Sequence, residues 1–155
     1  MKRVLLVLAL VLALTGCGTG RPKMQAEGSG SVSAGYDWGI TLSVKDVTPR
    51  GLTILCTQSG GRYTGLLMTG TPYSLDVWTG DGWQSVNTLS GEDTGIWTTV
   101  GLSIQANEVV EWPVKWTGLY GELSAGRYRI SKSIIDQRGA GDYDTCTYYA
   151  EFEIP

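Results

Sequence analysis

The chain has 155 residues with 12 Lys+Arg against 15 Asp+Glu, a formal charge of −3, and no histidine. Without histidine, Ser-His-Asp and Cys-His hydrolase arrangements and histidine-ligated zinc sites are excluded, and the usual acid–base group for neutral pH is missing. The acidic balance speaks against nucleic acid, whose phosphates require clustered Lys and Arg.

Met1 is followed by Lys2 and Arg3 and then by an apolar run, Val4 to Leu14, too short to cross a bilayer as a helix. A charged flank, a short apolar stretch and small residues at the cut form the layout of a secretory signal. Here the small residues are Leu14-Thr15-Gly16 and the next residue is Cys17, so the segment resembles the lipobox of bacterial lipoproteins. That resemblance implies a signal peptide over 1–16, lipid attachment at Cys17, and attachment to the extracytoplasmic face of a cell membrane. The alternative is an ordinary secretory signal followed by a chance cysteine. Lys2 and Arg3 leave with the signal and no acidic residue does, so −3 becomes −5 in the mature chain. An anionic lipid surface would not attract such a domain, and two or more acyl chains would have to hold it.

Residues 17–35 are rich in Gly, Ser and Ala without an apolar period, which predicts a flexible tether reaching on the order of 25 Å. From Tyr36 to the C-terminus the pattern changes, and 36–155 read as one domain. Ile40, Leu42 and Val44 alternate, as do Leu52, Ile54 and Cys56, and then Tyr73, Leu75 and Val77. Val100, Leu102 and Ile104 follow the same rule, and so do Val110, Trp112, Val114 and Trp116. Tyr128 and Ile130, and finally Cys146, Tyr148, Ala150, Phe152 and Ile154, complete the series. Period two is the strand signature, and no helical apolar stripe runs beside it. Gly80-Asp81-Gly82 between two such runs predicts a hairpin. Pro113 falls on the outward parity of its run and predicts an edge strand. The fold expected is all-β, a two-sheet antiparallel sandwich of about seven to eight strands, with a barrel as the alternative.

Once Cys17 is set aside, Cys56 and Cys146 remain, both on apolar faces. Outside the cytoplasm they predict a disulfide; two buried small hydrophobes are the alternative.

Three stretches carry a family likeness: 51–61 (GLTILCTQSGG), 111–121 (EWPVKWTGLYG) running on into 123–130 (LSAGRYRI), and 139–152 (GAGDYDTCTYYAEF). They resemble a bacterial immunoglobulin-like domain family of secreted and lipid-anchored surface proteins. The resemblance implies an Ig-like sandwich and supplies no catalytic residues. Within it, Leu123-x-x-Gly126-x-Tyr128-x-Ile130 looks like an Ig corner, with Gly126 making the turn and the Tyr128 hydroxyl bonding back to backbone; a plain core tyrosine is the alternative.

Asp136, Asp142 and Asp144 fall near the expected loop between the last two strands. Three carboxylates match no calcium-loop spacing and read as solvated turn residues, so no metal and no cofactor is expected. By analogy with Ig binding loops, Arg138, Asp142 and Tyr143 are candidate partner contacts. Trp112 and Trp116 share parity with valines and read as core. Trp78 and Trp97 are out of phase with their apolar neighbours and are candidate exposed aromatics, suited to a protein hot spot or to stacking on sugar. Asp76, Asp81, Glu92 and Asp93 could supply glycosidase carboxyls, but no motif selects a pair. The function expected is a non-catalytic interaction module with an unidentified surface-protein partner; a glycan-binding module using exposed Trp is the alternative.

Overall fold

The computed structural model describes residues 29–31, 36–90 and 101–155. Ten strands follow in order: β1 (Ser29–Ser31), β2 (Ile40–Thr48), β3 (Gly51–Gln58), β4 (Leu66–Thr69), β5 (Ser74–Trp78), β6 (Trp83–Ser85), β7 (Leu102–Ser103), β8 (Val109–Lys115), β9 (Gly126–Gly139) and β10 (Asp142–Ile154). No helix occurs among the described residues. Strands β2-β3-β8 form one antiparallel sheet, and the other seven form a second around the central pair β9 and β10. The domain is an antiparallel two-sheet sandwich, as the alternation predicts. Ser29–Ser31, inside the Gly/Ser-rich stretch, pairs with Tyr148–Ala150 of β10.

Among the described residues, which exclude Val100, the predicted apolar parities face inward or pack against the core. Leu42, Ile54, Cys56, Leu75, Trp116, Ile130, Cys146 and Phe152 are all fully or almost fully buried between the sheets. Alternation works here because successive side chains leave opposite faces of a strand, so one face fills the core. Pro113 lies in β8, an edge of the three-stranded sheet, where its missing N–H leaves no gap in a ladder. The β5–β6 hairpin closes at Gly80-Asp81-Gly82, with Thr79 N donating to Gly82 O at 3.1 Å and Gly80 at φ 95°. The β9–β10 hairpin turns on Ala140 and Gly141 alone, Gly141 taking φ 77°. That φ lies where side chains crowd the backbone and glycine does not.

Aromatic stacking organises one end of the core. Phe152 stacks between Trp116 and Tyr128, with ring centroids 5.9 and 5.7 Å away. Both polar tips find backbone partners: Trp116 Nε1 donates to Pro49 O at 2.8 Å, and Tyr128 Oη to Ser124 O at 3.0 Å. The second bond is the corner expected for Tyr128. Gly126 opens β9 and does not make the turn; a Cβ there would lie 3.3 Å from the Tyr128 ring, so its part is to leave room for the ring.

β9 is the spine of the larger sheet. One of its edges pairs with β10 along its length, while the other carries β5 at Tyr128–Ser131 and β4 at Ile134–Gln137. Between those two short strands the chain crosses at Gly70 to Pro72. Lys132, on the inward parity of β9 and only 4% exposed, reaches this break. Its ammonium donates to Gly70 O at 2.7 Å and Pro72 O at 3.2 Å and lies 5.1 Å from the Trp112 ring centroid. A charge so placed survives because carbonyls freed from the ladder, and an aromatic face, receive it. Burial lowers its pKa to about 8, partly opposed by the nearby Cys56.

The predicted Cys56–Cys146 disulfide is not formed, and both thiols are free and buried. Burial pushes the Cys56 thiol up to about 12. The Lys132 charge draws the Cys56 thiol's pKa down, against the larger effect of burial. Both cysteines therefore act as small core hydrophobes.

Candidate functional site

The outer face of the larger sheet gathers aromatics and arginines at the end where β9 begins. Register brings them together. Asp76 of β5 stands opposite Ser85 of β6 and Arg129 of β9, and Arg129 in turn opposite Glu151 of β10. One row further, Trp78 faces Trp83, and Arg127 faces Glu153. These residues occupy the parity opposite the core, so each strand contributes its polar or aromatic alternate positions to one surface.

The side chains interlock. The Arg129 guanidinium sits between Trp83 and Tyr149, 4.9 and 5.5 Å from their ring centroids. Arg127 covers Trp78 at 5.8 Å and Trp83 at 5.6 Å. Asp76 fixes Arg129 by accepting from its Nε at 2.7 Å and takes a second bond from Ser85 Oγ at 3.1 Å, while Glu151 accepts from Arg127. A planar guanidinium suits this arrangement, since it can stack on a ring face and still donate in its own plane. Trp78, expected to be an exposed aromatic, is 38% exposed at the rim. Trp83, Arg127, Arg129 and Tyr149 were not singled out from the sequence. Their outward parity is readable, but their convergence depends on the register of four strands.

Trp78 and Trp83 meet edge to face, with centroids 5.4 Å apart and planes at 65°. They do not form the aligned pair of rings on which a sugar chain could stack. Trp97, Glu92, Asp93 and Cys17 lie outside the described residues.

The second predicted cluster lies at the other end of the same sheet. Arg138 Nη1 donates to Asp144 Oδ2 at 2.8 Å and to Thr64 Oγ1 at 3.2 Å, its Nε donates to Asp142 Oδ1 at 2.8 Å, and Asp136 lies 3.8 Å away. Donating to the Asp142 and Asp144 carboxylates raises the Arg138 pKa further above its ordinary value. Tyr36 Oη donates to Asp144 at 3.1 Å. Asp136 is 2% exposed and accepts from Thr64 N at 2.8 Å, Thr64 Oγ1 at 3.0 Å and Gly65 N at 2.6 Å. Burial pushes its pKa up, but those donors and Arg138 outweigh burial and hold the carboxyl below its usual range. The three carboxylates close on an arginine, and no group suited to a metal ion occurs among the described residues. Arg138 and Asp142 thus brace the hairpin, and only Tyr143, 56% exposed, stands free on its surface. Along β9, about 3.3 Å per residue separates Arg127 from Arg138, roughly 35 Å, so the structure does not unite Trp78 with the hairpin cluster.

A family model for the bacterial Ig-like domain matches residues 36–153. The chain belongs to the bacterial Ig-like domain family. No curated protein and no solved structure matches it. The Tyr128 corner and the two-sheet sandwich accord with an Ig-like architecture. In this Ig-like domain Asp76, one of the carboxyls a glycosidase could draw on, is engaged by Arg129 and Ser85.

Proposed function

We propose that this Ig-like domain is a non-catalytic protein-interaction module, held by lipid on Cys17 at the extracytoplasmic face of a bacterial membrane. Its contact surface is the outer face of β5, β6, β9 and β10, centred on Trp78, Trp83, Arg127, Arg129 and Tyr149. The interlocked Trp–Arg–Tyr face is the observation that carries the reading. Trp, Tyr and Arg are the residues enriched where binding energy concentrates. Here their rotamers are fixed by mutual stacking and by Asp76 and Glu151, so little side-chain freedom remains to be lost on association.

The test is capture from detergent-solubilised cell envelope with the full chain and with Trp78→Ala, followed by cross-linking to locate the contact. Recovery of one protein, cross-linked beside Trp78 and lost with Trp78→Ala while the variant still melts as a folded domain within a few degrees of wild type, is expected. Recovery of polysaccharide instead, or protein capture indifferent to this face, overturns the assignment. For the anchor, Cys17→Ser is expected to release the protein from membranes, and undiminished retention refutes lipid attachment.

A further inference from the structure

On the opposite sheet, the outward face of β2, β3 and β8 has a feature the Trp–Arg face does not explain. Pairing of β2 with β3 slips between Lys45 and Thr48, and within the slip Asp46 takes φ 54°. A bulge of this kind turns a side chain away from its regular direction. Left-handed backbone is unfavourable for any residue but glycine, although Asp tolerates it better than most. Nothing within the described domain uses the Asp46 carboxylate for a hydrogen bond or an ion pair. Lys45 beside it gives its ammonium to Glu111 at 2.7 Å instead.

The bulge borders a groove of about 370 Å³, lined among others by Asp46, Arg50, Thr53, Pro113 and Lys115. Lys115 forms no ion pair among the described residues. Arg50 meets Glu122 at 3.3 Å with both side chains largely in solvent, a contact that holds it weakly. The groove therefore offers one cation without an ion pair, Lys115, a second, Arg50, held only by its exposed contact with Glu122, the Asp46 carboxylate, the Thr53 hydroxyl and a proline ring.

We propose that this groove binds a sugar acid, a pyranose ring bearing a carboxylate. Lys115 and Arg50 take the sugar carboxylate, Asp46 and Thr53 take ring hydroxyls, and Pro113 lies against the C–H face. The mixture of charges selects this class. A bare anion would be repelled by Asp46, and a neutral sugar would leave Lys115 unused and give Arg50 nothing to exchange for Glu122. The groove is shallow and open to solvent, with room for one or two rings. The groove lies on the other sheet from the Trp–Arg face, so its assignment stands or falls independently of that surface.

The experiment is an amide ¹H–¹⁵N titration of the full chain in detergent with glucuronate, beside glucose and acetate. Saturable shifts at Asp46, Thr53 and Lys115 are expected with glucuronate, with affinity about tenfold or more above either control. Lys115→Ala and Asp46→Gly should each weaken binding by about tenfold or more. Asp46→Gly should do so with its melting temperature unchanged or raised, because glycine relieves the left-handed backbone. An absent response to glucuronate, an equal response to acetate or to glucose, or shifts confined to other surfaces would each overturn the proposal.

Discussion

Asp136→Ala tests whether an inward carboxylate sets the start of β4. In the folded protein Asp136 accepts three hydrogen bonds, from Thr64 N, Thr64 Oγ1 and Gly65 N, and is 2% exposed. Hydrogen bonds to a charged acceptor contribute about 1.5–3 kcal/mol each, but the three share one group and do not add fully. Thr64 is exposed and Gly65 half-buried, so water reaches part of what the alanine leaves unpaired. The expected loss is therefore about 3 kcal/mol, or on the order of 10 °C in melting temperature for a domain of this size. Urea unfolding followed by tryptophan fluorescence gives the value directly, with an unchanged m-value showing that the denatured state is not altered. The pH dependence supplies a second check. The folded pKa lies below the unfolded value of about 3.9, so the carboxylate's charge contribution is complete above that value and drains away as pH falls through the folded pKa. The gap between wild type and Asp136→Ala should accordingly narrow in acid. A loss under about 1 kcal/mol, or a gap constant from neutral pH into acid, would refute the role given to Asp136.

Tyr128→Phe removes only the hydroxyl bonded to Ser124 O and should cost about 1 kcal/mol by calorimetry; an unchanged transition would make Tyr128 a plain core aromatic. Lys132 has a folded pKa near 8, below its unfolded value, so the native state sheds its proton first and urea midpoints should rise as pH increases from about 8. Above about 9 the Cys56 thiol, held protonated in the fold, works in the opposite sense and cancels the rise, and above about 10.4 the curve falls; Lys132→Met should abolish the rise and keep the fall. Trp83→Ala, which removes a ring against both Arg127 and Arg129, should destabilise by about 2 kcal/mol, and Trp78→Ala by less than about 1, measured by thermal melts; reversal of that order would mean the rim and centre of the face are misassigned.

The core strands were legible because Leu42, Ile54, Trp112 and Phe152 each sit within a run whose alternate positions are apolar. Tyr128 was legible as a corner because the motif before it resembles one, although Gly126 leaves room for the ring and does not make the turn. β4 was not. Leu66, Leu67 and Met68 are consecutive apolar residues without alternation, and the structure buries Leu67 and Thr69 while leaving Leu66 47% exposed. The length of β9 was hidden for a related reason. Lys132 and Asp136 occupy inward positions, so the apolar parity that begins at Tyr128 and Ile130 is interrupted although the strand continues to Gly139. As a result the final connection looks like a loop from Arg138 to Tyr143, when it is a two-residue turn. The Trp–Arg face was missed because cross-strand neighbours are a property of register, and composition carries no register.

Those two inward charges also account for how so short a strand as β4 is held. Its four residues send only Leu67 and Thr69 into the core, too little apolar surface to fix its ends. Where the chain enters β4, the N–H groups of Thr64 and Gly65 need an acceptor, and Asp136 is a pure acceptor. Where it leaves, the carbonyls of Gly70 and Pro72 need a donor, and Lys132 is a pure donor. Thr69 adds a bond from its hydroxyl to Ser133 O at 2.8 Å between them. Each charge thus stands at the end whose backbone groups match its hydrogen-bonding sense. Exchanging them would place donors against donors and acceptors against acceptors. Their cost in desolvation is offset by setting where β4 starts and stops, which lets one long strand carry β4 over one half and β5, with the aromatic–arginine face beside it, over the other.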